Sequence, residues 1–306
     1  MLGMAVLMSL WTTVGVAKMN SYPRLGAPGR RERVLIVAPH VDDEAISAGG
    51  YAMDAIANGA EVYVVYLTAG DGSKIAARLL NKRLAPTPAS YLNVGHARIA
   101  EAKQAMELIG VPRDRFFILG YPDRGLQSIV TNRTAVVRSL GTDRSAVPYD
   151  EALSPGAPYT FENLMRDMEH VLELVDPTIV IAPVAFDRHS DHRATAEITN
   201  LALAATGITP LRYGYLVHDR RFPTALLSTP QRAKLPPSRM QQFSWTTYAL
   251  TKHVQQLKTN LLMTYKSQRP YVFILRNAFV RQNELFYVYP KAAATTVRPL
   301  RAVAGR

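Results

Sequence analysis

VLIVAPHVDDEAISAGG, residues 34–50, decides the fold. It opens as an unbroken apolar run, the pattern of a strand covered on both faces. It closes as the first turns of a helix, where Gly49-Gly50 permits close packing. Between the two lie His40 and three successive acids, Asp42, Asp43 and Glu44. A local reason for that charge exists: acids at a helix start cap it and oppose its dipole. A functional reason exists too, because ligands of an open parallel sheet bind beyond the carboxyl ends of its strands.

The rest of the chain repeats the pattern. RVLIVAP (33–39) is the first strand, and a helix follows from Asp43 to Ala60. EVYVVYLTAG (61–70), RFFILG (115–120), TIVIAP (178–183) and LRYGYLVH (211–218) read as further strands. Helical periodicity marks residues 97–109, closed by Gly110, and residues 161–175 and 192–206. Residues 71–96 read as basic and irregular, and 126–160 as a long polar loop of the kind that carries function or forms a lid. Beyond 218 the firm expectations are a helix near 245–267 and a strand near 284–289. The alternation predicts an α/β fold: a Rossmann-like, mostly parallel sheet with helices on both faces, plus a C-terminal strand/helix extension.

The ends differ from this domain. Residues 2–17 carry no charge. The run is short for a spanning helix, which needs about 20 residues. It reads as a membrane-directed segment, either a signal core or an uncleaved anchor with its basic flank on the cytoplasmic side. It lacks a basic n-region, which a mis-assigned start would also explain. Residues 18–32 read as a linker, 33–290 as the domain, and 291–306 as a basic, flexible tail.

The 306 residues can bury a real core, and 48% apolar with 20% charged residues is ordinary for a soluble globular chain. There is no cysteine, so disulfides and thiolate metal sites are excluded. The net charge of +12 favours anionic partners. The charges are scattered, and no zinc-finger spacing or RNP motif accompanies them, which argues against nucleic acid.

The chemistry gathers at two strand ends. The first strand delivers His40, Asp42, Asp43 and Glu44; the fourth delivers Asp187, His189, Asp191 and His192. The sheet would bring both clusters to one edge. Imidazole and carboxylate are zinc ligands, and a catalytic zinc takes three of them with a position left open. A divalent ion would also make three adjacent acids tolerable. Either cluster alone reads as readily as capping or a polar loop; together they favour a metal site.

APHVDDE (38–44) with HSDH (189–192) resembles the PIG-L/LmbE family of zinc-dependent N-deacetylases. Pro39, Val41 and Ser190 depart from the usual Ala-His-Pro-Asp-Asp-Glu and His-Pro-Asp-His patterns at positions that are not ligands. LTAGDGS (67–73), RIAEAKQAMELIGV (98–111), LGYPDRGL (119–126) and FVRQNELFYV (279–288) resemble the family more loosely. The resemblance implies one divalent metal, Zn2+ or alternatively Fe2+, on His40, Asp43 and His192. It implies Asp42 as the base that deprotonates water, and His189 as the group that stabilises the oxyanion and protonates the amine. Asp191 would orient and charge-tune His189. Glu44 would support the ligands or cap the helix. Arg98, Lys74, Arg78 and Asp123 are candidates for substrate contact. The implied substrate is an acetamido-sugar conjugate, and the apolar N-terminus and basic surface tilt it towards a lipid-linked or anionic one. A metal-dependent phosphoesterase and a non-catalytic, metal-containing sugar-binding protein are the alternatives.

Overall fold

Val34–Ala38 is fully buried and lies at the centre of the sheet, which is why its sequence is apolar without alternation. We describe the fold from a computed structural model covering residues 15–220, 230–268 and 276–290. Seven strands form one sheet in the order β3-β2-β1-β4-β5-β7-β6, where β1 is Arg33–Ala38, β2 Glu61–Thr68, β3 Phe116–Tyr121, β4 Ile179–Pro183, β5 Leu211–Tyr215, β6 Trp245–Ala249 and β7 Asn283–Val288. β1 to β5 run parallel, and β7 pairs antiparallel with both β5 and β6. The strand order reverses between β1 and β4. That switch point is where such sheets bind ligands.

The helices are α1 (Asp43–Ala57), α2 (Lys74–Asn81), α3 (Pro88–Ile109), α4 (Leu126–Thr131), α5 (Phe161–Val175), α6 (Ser190–Thr206) and α7 (Lys252–Thr264). α1, α2, α3 and α7 pack as one group and α4, α5 and α6 as another. No helix among the described residues is long and apolar enough to cross a membrane. Residues 1–14, which hold most of the apolar run, and the tail 291–306 lie outside the described residues.

Several expectations are corrected. Residues 71–96 are largely helical: Ser73 caps α2, and Thr87 with Ser90 forms a capping box before Pro88, the first residue of α3. The basic side chains had masked those start signals. The helix expected from 245 begins instead as β6, because Trp245-Thr246-Thr247-Tyr248 is a β-branched and aromatic run that pairs along β7; α7 starts only at Lys252. Residues 18–32 are not a free linker. Pro23 O accepts from Thr247 N at 2.9 Å and Leu25 N donates to Thr247 O at 2.8 Å, fastening this segment to β6. The stretch 126–160 begins with α4 and then buries Val147, Tyr149 and Tyr159, so its middle is core and not a lid.

Candidate metal centre and active site

His40 stands just beyond β1, held where the strand gives way to α1. Asp42 is the N-cap residue of α1, at φ 121°, a conformation that costs a residue with a Cβ of order 1–3 kcal/mol. Its side chain does not cap the helix. Instead Oδ2 accepts from Gln268 Nε2 at 2.9 Å, in a site where Asp42 is 8% exposed. The capping explanation of these acids therefore fails for Asp42, and the strain points to a functional constraint.

Asp43 lies between two imidazoles. Its Oδ2 is 3.1 Å from His40 Nδ1 and 3.3 Å from His192 Nε2. The far nitrogens of both rings face carboxylates: His40 Nε2 is 3.2 Å from Asp191 Oδ2 and 3.3 Å from Asp123 Oδ1, and His192 Nδ1 is 3.4 Å from Asp187 Oδ2. Metal-ligating histidines are typically backed by acceptors in this way. His192 is fully buried, yet neither of its nitrogens has a hydrogen bond of good geometry. Donors about 2.0 Å from a tetrahedral ion stand roughly 3.3 Å apart, and the two distances from Asp43 Oδ2 to the imidazole nitrogens lie near that value. The donor sets whose atoms all fall within 4.8 Å of one another, among the described residues, are His40, His189 and His192, and His40, Asp123 and Asp191; Asp43 belongs to neither.

The electrostatics follow from burial and like charge. Burial and the adjacent Asp43 charge hold the Asp42 carboxyl well above its usual range. Burial pushes Asp43 the same way, but His192 and His40 overcome it and keep Asp43 well below. Burial lowers both His40 and His192, and their carboxylates outweigh it, lifting His192 to about 9. His189 moves down, through burial and the neighbouring His40 and His192.

His189 precedes α6 and caps it: its Nδ1 accepts from Asp191 N at 3.3 Å. A neutral ring then carries its proton on Nε2. The Asp191 carboxylate does not reach His189 by any hydrogen bond. It accepts from Arg124 N at 2.6 Å and faces His40. Glu44 accepts from Tyr265 Oη and, at 3.2 Å, from Asp42 N, so it supports the strained turn; burial raises it to about 7.

Among the substrate-contact candidates, Asp123 joins the cluster and accepts from Gly72 N at 2.7 Å. Arg98 is 4% exposed and sits against Gly70. Lys74 and Arg78 lie on the exposed side of α2, where Arg78 Nε donates to Leu84 O. No hydrogen bond or ion pair among the described residues ties either to the His/Asp cluster.

Sequence reasoning missed three contributors, His218, Gln268 and Arg124, and named Asp187 without a role. His218, after β5, packs its ring 4.7 Å from that of His192 and 5.1 Å from that of His189. Asp187 is a hub: it accepts from His189 N at 2.8 Å and from Val217 N and His218 N at 3.0 Å. Gln268 and Arg124 complete the set. His218 carried a signal, as a polar residue beyond an apolar strand, and Arg124 lay within the family-like LGYPDRGL stretch; Gln268 carried none.

Comparison with known proteins gives a family and a fold. Residues 35–203 match the family described as PIG-L, GlcNAc-PI de-N-acetylase. The chain is 30% identical over 182 residues to a 1D-myo-inositol 2-acetamido-2-deoxy-alpha-D-glucopyranoside deacetylase of Actinosynnema mirum, a match covering 58% of this chain and 56% of that one. The chain thus spans about half the length of that relative. The fold is shared with a deacetylase of the teicoplanin biosynthesis pathway (TM-score 0.54, 18% identity, 86% of this chain and 100% of that one). It is shared equally with a 4-carboxy-2-hydroxymuconate hydratase of Pseudomonas putida (TM-score 0.53, 17% identity, 85% and 97%). The fold alone therefore does not choose the reaction.

Proposed function

The chain belongs to the PIG-L family, and from that premise we propose that it hydrolyses the N-acetyl amide of an N-acetylglucosamine-type conjugate, releasing acetate and a free amine. The observation that carries this reading is Asp43 Oδ2, 3.1 Å from His40 Nδ1 and 3.3 Å from His192 Nε2, with both rings backed by carboxylates. His40, Asp43 and His192 would hold one divalent ion, Zn2+ by the chemistry of the donors. Bound there, the ion would polarise the acetyl carbonyl and acidify a water molecule.

The remaining work falls to the chain's own side chains. Asp42 takes the proton of the attacking water; Gln268 Nε2 fixes its carboxylate and burial raises its basicity. His189 offers its Nε2–H to the oxygen on which negative charge builds. As the carbon–nitrogen bond breaks, the proton that Asp42 took from the water is returned to the leaving nitrogen, and the water oxygen stays in acetate. Asp187, 3.4 Å from His192 Nδ1, and Asp191, 3.2 Å from His40 Nε2, would orient the two rings. Asp123 and Arg98 would meet sugar hydroxyls or an anionic group.

Amine release from N-acetylglucosamine conjugates, measured on metal-free protein before and after zinc is restored, tests the reading. Zinc-dependent amine release with one ion per chain supports it. Two ions per chain with phosphate monoester turnover, or bound metal with no turnover of either substrate class, would replace it.

A further inference from the structure

Between Asp71 and Glu101 the chain has no acidic residue. Within that stretch lie Lys74, Arg78, Lys82 and Arg83, and none of them forms an ion pair among the described residues. The same segment concentrates exposed apolar side chains. Ile75 is 42% exposed, Leu79 59%, Leu80 48% and Leu84 91%. They are four of the eleven exposed large hydrophobic residues among those described, packed into ten positions. Scattered leucines need no explanation, but a contiguous patch does.

The helix accounts for the arrangement. Ala76 and Ala77 turn α2 inwards. Lys74 and Arg78 stand four apart on one outer stripe, and Ile75 and Leu79 on the stripe beside it. Lys82, in a left-handed conformation, ends the helix and leads into Arg83 and Leu84. The result is a short outward surface with leucine and isoleucine beside lysine and arginine. Such a face lies in the headgroup boundary of a bilayer, its apolar side chains inserted and its cations on anionic lipid.

We propose that α2 and the Lys82–Leu84 segment dock the protein on an anionic lipid surface. The charge selects this occupant. A second copy seated face to face would bring two sets of unpaired cations together, which opposes association. Nucleic acid would want stacking aromatics, and residues 72–87 contain none. The face also adjoins the site: Gly72, whose N–H binds Asp123, is two residues before α2. The docking does not depend on the deacetylase reading, because it is measured without turnover.

The experiment is sedimentation of the full chain with phosphatidylcholine vesicles, with and without phosphatidylglycerol. The comparison set is wild type, Leu79→Ser with Leu84→Ser, and Lys82→Gln with Arg83→Gln. Wild type should bind the anionic vesicles only, and more weakly as salt rises. Each paired variant should bind about tenfold or more weakly, with an unchanged Tm. Three results would overturn the proposal. They are that wild type ignores anionic vesicles; that the variants bind as wild type does, which places the attachment in residues 2–17; or that the apolar pair changes the sedimentation of the free protein, which makes the patch a contact between copies.

Discussion

Asp42 shows what the site demands of one residue. It stands at φ 121°, buried, with its carboxyl held above its usual range by burial and by Asp43. A residue selected only for stability would not occupy that place. Two substitutions separate the contributions. Asp42→Asn keeps the shape and removes the base, so turnover should fall about 10²–10⁴-fold while bound zinc stays at one per chain, measured by amine release and metal analysis. Asp42→Gly relieves the backbone as well, and should unfold at higher denaturant than Asp42→Ala, by about 1 kcal/mol or more, while equally inactive. If glycine gives no gain over alanine, the strain is not stored there. At neighbouring positions the reading from sequence was right about residue type and incomplete about pairing. Asp191 was expected to serve His189, yet its carboxylate faces His40, and only its backbone N–H reaches His189. Both histidines follow a strand end in sequence; which ring each acid faces depends on how α6 is seated.

Two elements are fixed by buried charge. Glu284, on β7, accepts from Gly50 N and Tyr51 N at 2.8 Å, and Lys258, on α7, donates to Ile46 O at 3.0 Å. Glu284 and Lys258 also meet each other at 2.5 Å with essentially no exposure. The C-terminal extension is thereby fastened to the middle of α1, the helix that carries Asp43. Glu284→Ala would leave Lys258 buried and unpaired, and should cost about 3–5 kcal/mol in denaturant unfolding; a loss below 1 kcal/mol would mean the pair does not hold the extension. The long connection after α4 is fixed differently, by Tyr149 Oη donating to Asp71 Oδ2 at 2.5 Å. Burial, helped by the charge of Asp123, pushes Asp71 up to about 7. An acid whose pKa is higher folded than unfolded contributes stability that is complete below about pH 4 and lost as pH rises through 7. Stability should therefore decline over that window, and Asp71→Asn should flatten the decline in a series of melts. The expected lid was legible only as a long polar stretch, because the pattern could not show that Val147, Tyr149 and Tyr159 turn inwards.

At the scale of the molecule, the sheet brings residues about 150 apart in sequence to one switch point. A cluster of acids and imidazoles in a buried cleft should be stabilised when a cation binds it, because binding to the folded state alone shifts the unfolding equilibrium. Zinc should raise the Tm of metal-free protein by several degrees, and a chelator should reverse the gain. Asp43→Ala should abolish the shift and Asp123→Asn should keep it. The opposite result would move the ion to the His40, Asp123 and Asp191 set.

The sequence by itself determined the parallel sheet, the family and the two polar clusters, because these rest on local signals: apolar runs without alternation, caps, and short motifs such as APHVDDE and HSDH. Only the tertiary structure decided which nitrogen faces which oxygen, that Asp42 is strained and does not cap, that Gln268, Arg124 and His218 adjoin the His/Asp cluster, and that basic residues 71–96 are largely helical. Those facts are contacts between segments far apart in the chain. A distant partner leaves no periodicity in either segment, so it becomes visible only when the sheet has placed them side by side.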